Sequence, residues 1–241
     1  MDVCMRLLLF CVLIFVAACS YRSSPTSAVF SDSQRLLLIQ THLLLGQWPL
    51  AKGQLEQIRE SARGIEYWRL LSLYWLSIDH IEQALLIHKE ALIEFPDDDF
   101  LLNNYGVLLG QKEHWKEACE SFKKAYQNGV SKRQSVSVNL SRCAIRQNDV
   151  NLAKIYLKQA KEIDDLPLIG LMTELNLVLI QGNKDKARLI FNNIQANEKN
   201  VRKSGYFDEY NCLSRHLTAR EIDPTLYPSA SNFTCLNNSR Y

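Results

Sequence analysis

Residues 79–125 read DHIEQALLIHKEALIEFPDDDFLLNNYGVLLGQKEHWKEACESFKKA, and one six-residue phrase occurs in them twice, ending at Ala84 and at Ala118. Working outward, the same phrase returns as GQWPLA ending at Ala51, NDVNLA at Ala153 and GNKDKA at Ala187. The alanine spacings are 33, 34, 35 and 34 residues. Seven residues further on stands another alanine in three of the five (Ala91, Ala125, Ala160), with Ile58 and Ile194 at that place in the first and last. The chain has only 16 alanines, so this register is not a product of composition.

A period of about 34 residues with small residues at fixed places is the tetratricopeptide signature, a helix–turn–helix unit. Residues 65–98 carry it most fully, with Trp68, Leu71, Ser72 and Trp75 on the first helix and Ala84, Ala91 and Pro96 on the second. Residues 99–132 add Tyr105, Gly106, Ala118, Phe122 and Ala125. Small residues let the two helices approach, large apolar ones fill the remaining space, and Pro96 stops the second helix. One hairpin cannot bury its apolar face, so neighbours must stack. The expectation is therefore an all-α, right-handed superhelical solenoid of about five hairpins over 32–201. A C-terminal cap helix and tail over 202–241 follow, with Tyr206, Phe207, Tyr210, Leu213 and Leu217 on one apolar face and a loop from Asp223.

The composition agrees. Of 241 residues, 47% are hydrophobic and 22% charged, with only 9 Gly and 6 Pro, which favours helix over a turn-rich β fold. Twenty-eight basic residues against 26 acidic ones give no field of one sign, so a phosphate backbone has nothing to bind and no nucleic-acid partner is expected.

The first residues, MDVCMRLLLFCVLIFVAACS, hold Arg6 and then a 12-residue apolar run, Leu7 to Ala18, too short to span a bilayer. Val16-Ala17-Ala18-Cys19 resembles the bacterial lipobox. Residues 1–18 are expected to be removed as a signal peptide, Cys19 to carry the acyl chains, and 19–31, rich in serine, to form a flexible tether. Ser20 rather than aspartate after the cysteine points to the outer membrane, on its periplasmic face.

Four further cysteines remain, Cys119, Cys143, Cys212 and Cys235. A bridge between Cys212 and Cys235 would tie the tail to the cap helix; free thiols are the alternative. Cys119 and Cys143 occupy positions that more often serve as small core residues. The five histidines are scattered, with His80 and His114 in turns, and no metal-ligand spacing, nucleophile elbow, Walker loop or dinucleotide fingerprint occurs. Asp97-Asp98-Asp99 reads as an acidic turn before a helix. The expectation is a chain without catalytic residues, metal, cofactor or small-molecule substrate.

What remains is a binding surface. In stacked hairpins the groove is lined by the first helix of each, which selects Arg69, Leu73 and Leu76, then Phe100, Asn103, Asn104 and Val107, then Val138, Arg142 and Arg146, then Ile169, Met172, Asn176 and Leu179. Asn amides can serve a bound peptide backbone, and Arg142 with Arg146, four apart, can hold a carboxylate.

The lipobox, the repeats, the phrase Asn103-Asn104-Tyr105-Gly106 and the following EHWKEACESFKKA together resemble the type IV pilus biogenesis and stability lipoproteins (PilW/PilF family), over about 19–198. The resemblance implies a pilotin-like accessory on the inner leaflet of the outer membrane that binds pilus secretin subunits and aids their localisation and multimerisation. The chain departs from that family after 198, and Ile39 stands where a small residue is usual. A repeat lipoprotein scaffolding outer-membrane protein insertion or peptidoglycan synthesis is the alternative.

Overall fold

The computed structural model describes residues 30–129, 133–196, 201–202, 206–222 and 235–237. Cys19, the signal peptide and nearly all of the tether lie outside the described residues. Eleven α-helices occur in what is described, and no strand. The described residues fall into two compact units that divide between Ala62 and Arg63.

The first unit is one hairpin, α1 (Asp32–Leu44) and α2 (Trp48–Leu55), followed by a 3-10 turn, Glu60–Ala62. Ser31 starts it: its hydroxyl accepts the Gln34 N–H, while the Gln34 side chain accepts the Ser31 N–H at 2.9 Å, satisfying two donors the first turn would leave bare. Ile39, Leu43, Ala51, Leu55 and Ile58 form its core. Arg59 closes the unit on the α1 N-terminus, donating Nε–H to Asp32 at 2.7 Å.

The second unit stacks four more hairpins: α3 (Ile65–Ser77) with α4 (Ile81–Glu94), α5 (Asp99–Gln111) with α6 (Trp115–Asn128), α7 (Gln134–Arg146) with α8 (Val150–Ile163), and α9 (Leu168–Ile180) with α10 (Lys184–Gln195). Then comes α11 (Phe207–Ile222). Each helix packs on the next, and α7 also packs on α9 across a hairpin, as in a solenoid. The fold is a tetratricopeptide solenoid with a C-terminal helix.

The repeat alanines explain the packing. Ala51, Ala84, Ala118, Ala153 and Ala187 are all fully buried, each where the second helix of a hairpin meets the first. At Gly106 a methyl group would stand 2.6 Å from the Phe122 ring, so only glycine permits the α5–α6 approach. Two hydroxyls sew hairpins internally, Ser121 donating to the Leu102 carbonyl at 2.7 Å and Ser141 to that of Ala153 at 2.9 Å. Five residues before every repeat alanine the turn reverses through positive φ: Gly46, Asp79, Glu113, Asn148 and Gly182, at 58° to 74°. His80 and His114 are exposed residues preceding α4 and α6. Phe95 has left the helix, at φ −127° and ψ 67°, as a residue before proline should.

Candidate protein-binding site on the concave face

The first helices α3, α5, α7 and α9 carry the groove positions, and they divide into an open and a closed half. In the open half Arg69 donates from Nε to Asp98 at 3.1 Å and from Nη2 to the same carboxylate. That bond outweighs burial and raises the Arg69 pKa above its already high ordinary value. Asp98 also accepts the Leu101 N–H at 2.9 Å, so one carboxylate caps α5 and fixes the arginine. Arg133 donates to Asp99 at 2.6 Å. Phe100 lies between the two guanidiniums, 6.0 Å from that of Arg69 and 5.7 Å from that of Arg133. Asn128 donates to Asp97 at 3.1 Å, so all three aspartates of the acidic turn have protein partners.

Further along, Asn139 of α7 donates to Asn103 of α5 at 3.0 Å, and Asn104 stands beside it, half-exposed. The Arg146 guanidinium lies 3.5 Å over the Trp115 ring. That ring rests against Gly110, where an added methyl would come within 2.9 Å of it. Val107, Gln111, Trp115, Asn139, Ile169 and Tyr206 border a recess with about 420 Å³ of empty space, part of it open to solvent. Its surface is apolar with amide edges, suited to a side chain or the edge of a polypeptide laid across it.

The closed half departs from expectation. Val138, Arg142, Met172 and Asn176 are expected in an open groove, but their exposures are 1, 4, 0 and 0%. Leu179 is buried as well, and Asn103 nearly so. Over α9 the cover is α11, which lies on α9 and α10: Tyr210, Leu213 and Leu217 join Met172, Leu175, Val178, Leu179 and Ile190 in one core. Glu209, fully buried, takes Arg142 in a two-pronged pair, Nη1 to Oε1 at 2.9 Å and Nη2 to Oε2 at 2.8 Å. The carboxylate expected from a partner is supplied by the chain itself. Burial pushes the Tyr206 phenol above its ordinary pKa, with Arg142 opposing. Of the expected groove residues, Arg69, Leu73, Leu76, Phe100, Asn104, Val107, Arg146 and Ile169 keep part of their surface.

Glu209 and Tyr206 as groove elements escaped the sequence reading. The signal was present: an acidic residue on the apolar stripe Tyr206, Tyr210, Leu213, Leu217 has to find a cation.

The four cysteines among the described residues are paired. Cys212 and Cys235 are bonded with Cα atoms 5.7 Å apart. Cys119 of α6 and Cys143 of α7 are also bonded, at 5.8 Å, so they are a covalent link between neighbouring repeats and not simply small core residues. Cys235 and Leu236, in a stretch expected to be loop, are buried in a 3-10 turn, Leu236 against Ala144, Ile145, Ala153, Leu157 and Leu177. Among the described residues, no group of three His, Cys, Asp or Glu is placed to hold a metal, and no helix is long and apolar enough to cross a membrane.

No protein-family model and no curated protein sequence matches the chain. Solved structures do. The chain is similar to PilF of Pseudomonas aeruginosa, with TM-score 0.58 at 17% identity, covering 80% of this chain and 92% of that one. It is similar to the same degree to PilW, described as a widely conserved type IV pilus biogenesis factor, covering 80% and 94%. The anaphase-promoting-complex assembly Cut9–Hcn1 matches at TM-score 0.60 and 13% identity, over 82% of this chain but 38% of that one. At such identities the likeness establishes the tetratricopeptide fold.

Proposed function

We propose that the protein is a non-enzymatic, lipid-anchored scaffold of type IV pilus biogenesis that binds pilus secretin subunits and aids their localisation and multimerisation. Cys19 would carry the anchor and hold the solenoid at the periplasmic face of the outer membrane. The observation that carries the reading is the divided concave face: α11 fills the half over α9, and the surface left for a partner runs from Arg69 and Leu73 through Phe100, Asn104 and Val107 to Arg146. The fold shared with PilF and with PilW, a type IV pilus biogenesis factor, supports it. Confinement to one leaflet raises the effective concentration of partners without any new contact.

The test places a photo-cross-linking amino acid at Asn104, in the open half, and at Lys89, outside the groove, in cells making the full chain. Secretin captured from Asn104 and not from Lys89 supports the proposal. Capture of barrel-assembly or peptidoglycan-synthesis proteins from Asn104 would move the function to those machines. In parallel, Cys19→Ala should leave the solenoid folded but mislocalised, with fewer secretin multimers; unchanged multimers would overturn the anchored role.

A further inference from the structure

Outside the groove, α8, α9 and α10 border a second cleft, with about 630 Å³ of empty space, and its lining holds four lysines: Lys154, Lys158, Lys161 and Lys186. Lys154, Lys158 and Lys161 follow one another at helical spacings of four and three, so they form a stripe along α8. Lys186 faces them from α10. The one carboxylate in the lining, Glu174 of α9, is buried; Lys161 reaches it at 2.7 Å and Lys186 at 3.0 Å. Burial pushes the Glu174 carboxyl up, but the two ammonium groups outweigh it and hold the carboxyl below its ordinary range. Glu174 therefore remains charged at neutral pH and pins two ammonium groups, one from each wall, at fixed places. Among the described residues, Lys158 has a loose, exposed pairing with Glu162 at 3.8 Å and no ion pair engages Lys154. With Glu162 beside Lys158 counted, four cations stand against two anions and the cleft keeps a net positive charge.

From this we infer that the cleft is a binding site for a phosphate-bearing anion. Arginine's flat fork reads carboxylates and phosphates alike in a bidentate plane, and no arginine lines the cleft, so its lysines impose no planar geometry. Ammonium groups act as point charges with donors in three directions, which suits the tetrahedral oxygens of a phosphate. The floor is apolar, made by Leu157, Leu177 and Val178. On the same two helices, α8 and α10, Ile155 and Leu189 are left 53 and 72% exposed. A phosphate joined to an apolar body fits such a floor, as a lipid headgroup would, while a soluble phosphate ester would use the lysines alone. The inference does not depend on the pilus reading or on acylation of Cys19.

The test is the acetylation rate of individual lysines in the full-length mature protein at physiological salt, read by mass spectrometry. The protein is mixed with phosphatidylcholine vesicles, with vesicles containing one-third phosphatidylglycerol, or with phosphatidylcholine vesicles plus millimolar pyrophosphate. Lys154 and Lys158 should be protected about fivefold or more by a phosphate source while Lys89 is unchanged. Protection by phosphatidylglycerol alone identifies a lipid headgroup, and protection by pyrophosphate as well identifies a general phosphate site. The double variant Lys154→Ser/Lys158→Ser, read at Lys161 and Lys186, should lose the protection while keeping its helical circular dichroism. Equal reactivity under all three conditions would overturn the inference. So would protection by an oligoglutamate peptide at lower concentrations than pyrophosphate, since the site would then read carboxylates.

Discussion

At the scale of single residues, two side chains sit in places that ask for something else. His88 is fully buried in α4, four residues after the repeat alanine, where the other hairpins place Leu55, Phe122, Leu157 and Phe191. It donates Nδ1–H to the Ala84 carbonyl at 2.7 Å, and its Nε2 has no hydrogen-bond partner. Burial lowers its pKa, with the Ala84 bond opposing, so the folded state holds it neutral. Above pH about 6.5 both folded and unfolded chains are neutral there and the residue adds no pH dependence. As pH falls below that value the unfolded chain takes up the proton first, and stability is lost until pH reaches the lower folded pKa. His88→Leu should therefore raise the urea midpoint at pH 7.5 and reduce its fall between pH 7.5 and 5.0; an equal fall in both proteins would refute the assignment. Glu113 is the second misfit. It adopts φ 63° where the first and last hairpins have Gly46 and Gly182. A left-handed backbone costs a side chain such as glutamate about 1–2 kcal/mol. Part of this is offset by the freedom glycine adds to the unfolded chain. Glu113→Gly should still stabilise the second unit by about 0.5–1 kcal/mol in thermal or urea unfolding.

At the scale of elements, the unusual contact is α11 on the concave side of α7 and α9. A buried pair does not by itself argue for stability, because desolvating two charges offsets much of their attraction. Removing one partner is another matter, since it strands a buried charge. Arg142→Met and Glu209→Gln should each destabilise the second unit by about 3 kcal/mol, and the double variant by less than either single change implies. A double-mutant cycle in urea measures this, and strict additivity would show that the pair does not couple α11 to α7. The hairpins themselves were legible because their determinants are local: the repeat alanines, Gly106 against Phe122, Asp98 at the head of α5 and Pro96 after α4 all act within one repeat. The occupant of the groove was not, because Arg142 and Glu209 are 67 residues apart and periodicity ranks a groove position without saying what covers it. The same holds for the cysteines. Their spacing shows that Cys119 and Cys143 lie on adjacent helices, whereas bonding depends on where each Cβ points.

At the scale of the molecule, a solenoid is held by nearest-neighbour contacts, so a perturbation at one end should be felt there first. The C-terminal end is secured by three devices acting on different elements. The apolar face of α11 lies on α9 and α10, Glu209 holds α7, and Cys212–Cys235 fastens the tail so that Leu236 sits in the α7–α8–α9 core. The bridge closes a loop of sequence separation 23, which in the chain-entropy model stabilises the fold by about 3 kcal/mol. Losing it also loosens the short turn that bears Cys235 and, next to it, the buried Leu236. Cys212→Ser/Cys235→Ser should therefore speed hydrogen exchange in α11, α9 and the part of α7 and α8 that touches Leu236. Exchange in α3 and α4 should stay as in the wild type, because the core contacts of Cys235 and Leu236 fall on elements from α7 onward. If α11 leaves its seat when the bridge is absent, the groove at Met172 and Asn176 opens, and a cross-linker at Met172 that is silent in the wild type should begin to capture protein partners. Faster exchange spread evenly over α3 to α11 would instead mean that the unit unfolds as one cooperative body, and the division of the groove into open and closed halves would then belong to the whole fold and not to its last element.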